Sequence, residues 1–91
     1  MAGEMLWLVE CPFQDQGLVR PLVTSSGGVV LMCDEGGEVW LHTDDVSRET
    51  TIVPDRPDWR VADGIDIMPG TTRWASRSDL EAVGLEVQWR T

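Results

Sequence analysis

Lysine and tyrosine are absent from this 91-residue chain, and phenylalanine and histidine occur once each. Positive charge therefore rests on seven arginines facing sixteen acidic residues, for a formal net charge of −9. Nucleic-acid affinity comes largely from cationic side chains that neutralise phosphates and release counterions, so this balance argues against a DNA or RNA binder. With a single imidazole, His42, following an apolar stretch, there is little material for a Ser-His or Cys-His pair. No G-x-S-x-G, H-E-x-x-H, Walker loop or G-x-G-x-x-G occurs, and the adjacent carboxylates Asp34-Glu35 and Asp44-Asp45 carry no signal of separated pKa values or of a cleft. The expectation is a protein that is not an enzyme and needs no cofactor. Long apolar runs are missing too: MAGEMLWLVE has a short apolar core flanked by Glu4 and Glu10, unlike a signal peptide or spanning helix. A cytoplasmic location is expected. Abundant arginine without lysine hints at a GC-rich, bacterial genome.

What is present suits a globular protein: 42% apolar residues, five tryptophans and no low-complexity segment. A chain of this size buries only about 60 to 65% of its unfolded surface, which leaves room for one domain spanning residues 1–91 and one core. Met5 to Val9, MLWLV, reads as a strand running into a turn. Leu18 to Val23, LVRPLV, reads as a second strand that Pro21 should place at an edge or interrupt. Thr24 to Gly28, TSSGG, joins it as a hairpin turn to GVVLMC, and EGGEVWLH turns again into a short strand.

Beyond His42 the segment HTDDVSRET reads as a loop or a helical turn capped by Thr43, and TIV at residues 51–53 as a possible strand. PDRPDWR reads as an ordered surface connection, and DIMPGTT as a segment ending in a Pro-Gly turn. A short helix is expected over residues 77–83, because Ser76 and Ser78 can both cap it. Ser78 with Glu81 has capping-box spacing, and Gly84 stands where a helix ends. LEVQWR at residues 85–90 alternates as a half-buried strand should, with Leu85, Val87 and Trp89 on one face. Trp7, Trp40 and Trp89 are assigned to the core. Trp74 is a candidate staple on Leu80, and Trp59 is a candidate partner anchor, since tryptophan is enriched at interface hot spots.

Two pieces, CPFQ at Cys11 and CDEG at Cys33, each begin as a C-x-x-C knuckle and lack its second cysteine, with Gln14 and Gly36 in those places. With the hairpin between them and the run CDEGGEVW, residues Leu6 to Leu41 resemble a zinc ribbon that has lost half its ligands. The resemblance implies a β-rich α+β fold in which metal-free ribbon-like hairpins, over about residues 5–42, are extended over 43–91 by extra strands and the short C-terminal helix. Three roles compete for Cys11 and Cys33. The leading one is that of small buried hydrophobes left from the ribbon. The second is a disulfide, worth about 3 kcal/mol in loop entropy but opposed by a reducing compartment. The third is a residual metal site completed by His42 or by a carboxylate such as Asp34.

In size and acidity the chain is similar to small immunity and antitoxin proteins. That resemblance implies a protein-binding inhibitor of a basic toxin, with Asp34, Glu35, Glu38, Asp44 and Asp45 as the acidic surface and Trp59 as anchor. The alternative is a structural or regulatory adaptor descended from a ribbon.

Overall fold

The computed structural model describes residues 5–13, 15–54, 59–62, 64–68, 70–85 and 87–91. Strands β1 (Val9–Glu10), β2 (Leu18–Val23), β3 (Val29–Cys33) and β4 (Val39–Trp40) pair in chain order and antiparallel. A hairpin of β5 (Arg60–Ala62) and β6 (Ile65–Asp66) forms a separate two-stranded sheet, while β7 (Arg73–Trp74) returns to pair with β2. Helix α1 (Arg77–Ala82) is the one α-helix among the described residues. The architecture is strand-rich with a single short helix.

LVRPLV and VVLMC are almost wholly apolar because the sheet they build is covered on both faces. Register decides which side chain lies where. Val19 faces Cys33, Pro21 faces Leu31 and Val23 faces Val29, while the alternate pairs are Arg20 with Met32 and Leu22 with Val30. On one face Val19, Leu31, Cys33 and Trp40 pack with Cys11, and further along it Val23 packs with Leu6, Ala75 and Leu80. On the other face Leu22, Val30 and Val39 pack against Val61 and Ile67 of the second sheet's segment.

Pro21 is not on an edge strand, since β2 has β3 on one side and both β1 and β7 on the other. Its expected interruption is nevertheless visible. β1 pairs with Leu18 and Val19, β7 pairs with Leu22 and Val23, and the ring lies in the interval between them. The Pro21 carbonyl accepts from the Ala75 N–H at 2.8 Å on that side, so the nitrogen without a hydrogen points to the broken edge and costs β3 nothing.

The hairpin turn at Thr24–Gly28 closes as expected. The Thr24 N–H donates to the Gly28 carbonyl at 2.8 Å, and Gly27 takes a φ of 96°, a conformation open to glycine and strained for other residues. The MLWLV run is strand only at its end. Leu6 is buried, and Trp7 forms an isolated antiparallel bridge with Arg90. Within residues 85–90 the structure departs from the alternation. Arg90 pairs with Trp7, but Val87 is exposed and its carbonyl accepts from the Trp89 N–H at 2.9 Å, a local turn incompatible with an extended strand. Residues 43–50 form turns, the loop alternative of the two expected there, and Ile52 supplies one bridge to Val39. Most of PDRPDWR and the proline of DIMPGTT lie outside the described residues.

Helix α1 is capped by Ser76, not Ser78. The Asp79 N–H donates to Ser76 Oγ at 3.3 Å, and the Ser76 N–H donates to Asp79 Oδ2 at 2.8 Å, so the box closes with Asp at the position where Glu is more usual. Arg73 reaches both Asp79 oxygens, at 2.6 and 2.9 Å, which with the Ser76 backbone bond holds that carboxyl well below the usual carboxylate range. At the other end Gly84, with φ 71°, donates to the Glu81 carbonyl and Leu85 donates to that of Leu80, the paired bonds of a Schellman ending. Ala75, immediately before the cap, packs with Leu80. Trp74 does not serve as that staple: it lies on the opposite cluster beneath the Arg20 guanidinium, 4.3 Å from its ring. Ser76→Ala is expected to destabilise the chain by about 1 kcal/mol, checked by urea denaturation, with Ser78→Ala near neutral.

Candidate functional site

The turn between β3 and β4 brings the two cysteines and a carboxylate together. The Cys33 N–H donates to the Glu38 carbonyl at 2.8 Å, and the Gly37 N–H donates to the Cys33 carbonyl at 3.1 Å, with Gly37 at φ 78°. Alternation across β4 then puts Glu38 on the same face as Trp40, which carries Cys33. Cys11 arrives from the β1 side, anchored by its N–H to the Gly17 carbonyl at 2.9 Å. Both cysteines are free thiols and both are buried.

The sulfur of Cys11 lies 4.0 Å from Glu38 Oε1, and one donor atom from each of Cys11, Cys33 and Glu38 falls within 4.8 Å of the others. The Gly36 N–H donates to Cys33 Sγ at 3.4 Å. Burial and the neighbouring Cys11 push the Cys33 thiol up to about 11, against the opposing pull of the Gly36 and Glu35 N–H groups.

Gly36 stands where a second knuckle cysteine would be, and the Glu38 carboxylate fills the space that a side chain there would need. A Cβ on Gly36 would meet Glu38 Oε1 in steric overlap and lie 2.9 Å from its Cδ. Glu38 is thus half-buried, with one carboxylate oxygen turned toward the thiols. Asp34 is exposed, but its carboxylate accepts from the Leu18 N–H at 2.9 Å and secures the start of β2. His42 is not a member of the thiol trio. It lines a concavity of about 440 Å³ together with Asp44, Asp45, Leu41 and Ile52.

Glu35, Asp44 and Asp45 are exposed and, like Asp34, form no ion pair among the described residues. The cations behave differently. Arg73 is paired with Asp79 and Arg60 with Asp66, while Arg20, Arg48 and Arg90 lie over the rings of Trp74, Phe13 and Trp7. Arg48 also donates from Nε to the Pro12 carbonyl at 2.9 Å.

Of the tryptophans assigned to the core, Trp40 is fully buried with its indole N–H donating to the Ser47 carbonyl at 2.8 Å, whereas Trp7 and Trp89 are half-buried. Trp59 is half-buried as well, and its φ of 58° places a bulky residue in the left-handed region, a strain of about 1 kcal/mol or more. It lines a second, mainly apolar cavity of about 300 Å³ with Leu22, Met32, Pro54 and Ile67. Sequence reasoning assigned Glu38 to the surface because a turn glutamate in an acidic chain carries no sign of its direction. The signal available was the spacing Gly36-Gly37-Glu38, which leaves room for a side chain to fold back.

Comparison with protein-family models, curated proteins and solved structures gives no match. No helix among the described residues is long and apolar enough to cross a membrane.

Proposed function

We propose that this chain is a small acidic protein-binding module, a cytoplasmic immunity- or antitoxin-type inhibitor that covers a basic toxin protein. The observation that carries the reading is the unequal use of charge. Among the described residues Arg60 and Arg73 are held against carboxylates of the chain and Arg20, Arg48 and Arg90 against rings, while Glu35, Asp44 and Asp45 stand exposed without an ion pair. An uncompensated negative surface steers cationic partners and repels phosphate. Asp34 adds to that field while securing β2, and the strained Trp59 is the apolar anchor. In this reading the scaffold over Leu6 to Leu41 descends from a zinc ribbon, and the module performs no catalysis.

A second reading, a ribbon-derived adaptor that docks through apolar surface, is favoured by the cavity at Trp59, Met32 and Pro54. Salt separates the two. The protein partner captured from a host lysate at low ionic strength is expected to be basic, and its association rate to fall by about tenfold or more on raising salt from roughly 0.05 to 0.5 M. Glu35→Gln combined with Asp44→Asn and Asp45→Asn should remove most of that dependence. A rate that ignores both salt and the triple substitution would point to the apolar adaptor.

A further inference from the structure

We propose that Cys11, Cys33 and Glu38 form a binding site for one zinc ion, held by the two thiolates and a carboxylate oxygen, with a fourth position for water or an external donor. Three separate segments of chain converge here: the turn after β1, the end of β3 and the entry to β4. The donor atoms already lie within 4.8 Å of one another. A tetrahedral zinc with its usual bond lengths needs sulfur–sulfur and sulfur–oxygen separations of about 3.8 and about 3.6 Å, so closing on the ion requires shifts of about 1 Å or less.

Charge makes the arrangement more than a coincidence of packing. In a chain of net charge −9, a half-buried carboxylate that folds back toward two buried thiols has no cationic partner among the described residues. A divalent cation supplies it. The missing side chain at Gly36 is what admits the carboxylate, and the Gly36 N–H aimed at Cys33 Sγ is placed to stabilise a thiolate. Binding releases the two thiol protons to solvent. Two thiolates, one carboxylate and Zn²⁺ sum to −1, the charge that the carboxylate with two neutral thiols has before binding. Sulfur donors favour zinc over magnesium or calcium, and a single oxygen with two sulfurs suits a four-coordinate ion.

The test uses the full chain, reduced and stripped with a chelator, titrated with Co²⁺ and then Zn²⁺. One cobalt per chain is expected, with a thiolate-to-cobalt charge-transfer band in the near ultraviolet and intense visible bands of tetrahedral cobalt, all abolished when zinc displaces it. Cys11→Ser should remove the charge-transfer intensity contributed by that sulfur. Because that change touches the core, two substitutions in the β3–β4 turn complete the test. Glu38→Gln and Gly36→Ala, the latter displacing the carboxylate at a position without positive φ, are each expected to weaken binding at least about tenfold while leaving the far-ultraviolet circular dichroism unchanged. A folded wild-type chain that binds no cobalt overturns the proposal. So does unchanged affinity in Glu38→Gln, or a loss in His42→Ala, which would assign the third ligand elsewhere.

Discussion

Trp40→Ala is expected to remove more than half of the chain's folding stability at room temperature. The indole has no exposed surface and packs among Cys11, Val19, Leu31 and Cys33, where its N–H also satisfies the Ser47 carbonyl. Removing a fully buried tryptophan costs about 3 to 5 kcal/mol through lost burial and the cavity left behind. A domain of this size has only about 5 to 15 kcal/mol in total, and the small end of that range suits so short a chain. Trp40→Phe should be milder, because it retains most of the apolar volume and loses chiefly the hydrogen bond. Urea denaturation followed by circular dichroism measures both. A Trp40→Ala protein as resistant as the wild type would mean that the loop at residues 43–50 does not depend on this ring.

The second large effect is chemical. In the metal-free, reduced protein Cys33 is expected to alkylate about 100-fold more slowly at pH 8 than an unperturbed thiol, because its pKa stands near 11 instead of 9.0 and only the thiolate reacts. The direction in pH follows from the same shift. The fold favours the neutral thiol, so this contribution to stability is complete below the unfolded value of 9.0 and is lost as pH rises through about 11. Iodoacetamide labelling with peptide mapping between pH 7 and 10 reads it directly. Rapid labelling of Cys33 at pH 8 would show that the pocket opens far more readily than its packing implies.

Local rules served where a local cause decided the outcome. The hairpin at Thr24–Gly28 was legible because two glycines permit a turn that few other residues tolerate, and the end of α1 because Gly84 can adopt φ 71°. The expected helix start at Arg77 holds, but the capping box lies at Ser76 and Asp79 and not at the Ser78–Glu81 spacing. Ser76 and Ser78 offer the same hydroxyl, and Arg73, brought alongside by the β7–β2 pairing, holds Asp79 in the box that starts at Ser76. The alternation in LEVQWR was real in sequence and unused in space, since among the described residues of that segment only Arg90 forms a β-bridge, with Trp7. Pro21 was legible in one of its two expected forms: proline excludes a continuous ladder on one side, and two short neighbours share that side around it.

The candidate sites divide in the same manner. Acidic excess, scarcity of histidine and the absence of lysine were properties of composition, legible before any coordinate is known. Which carboxylates remain exposed depended on the register of β3 with β4, which turned Glu38 toward the thiols and left Glu35 outside.

The amino-acid order alone determined the strands of the central hairpin, the existence of one short C-terminal helix and the sign of the surface field, because each depends on residue type and short-range spacing. Tertiary structure alone decided that Cys11, Cys33 and Glu38 meet, that β7 returns beside β2 and that the arginines are drawn against internal partners. Those outcomes require segments distant in the chain to be brought together by burial of the sheet's two faces, and no local pattern encodes a direction toward a neighbour that folding has yet to supply.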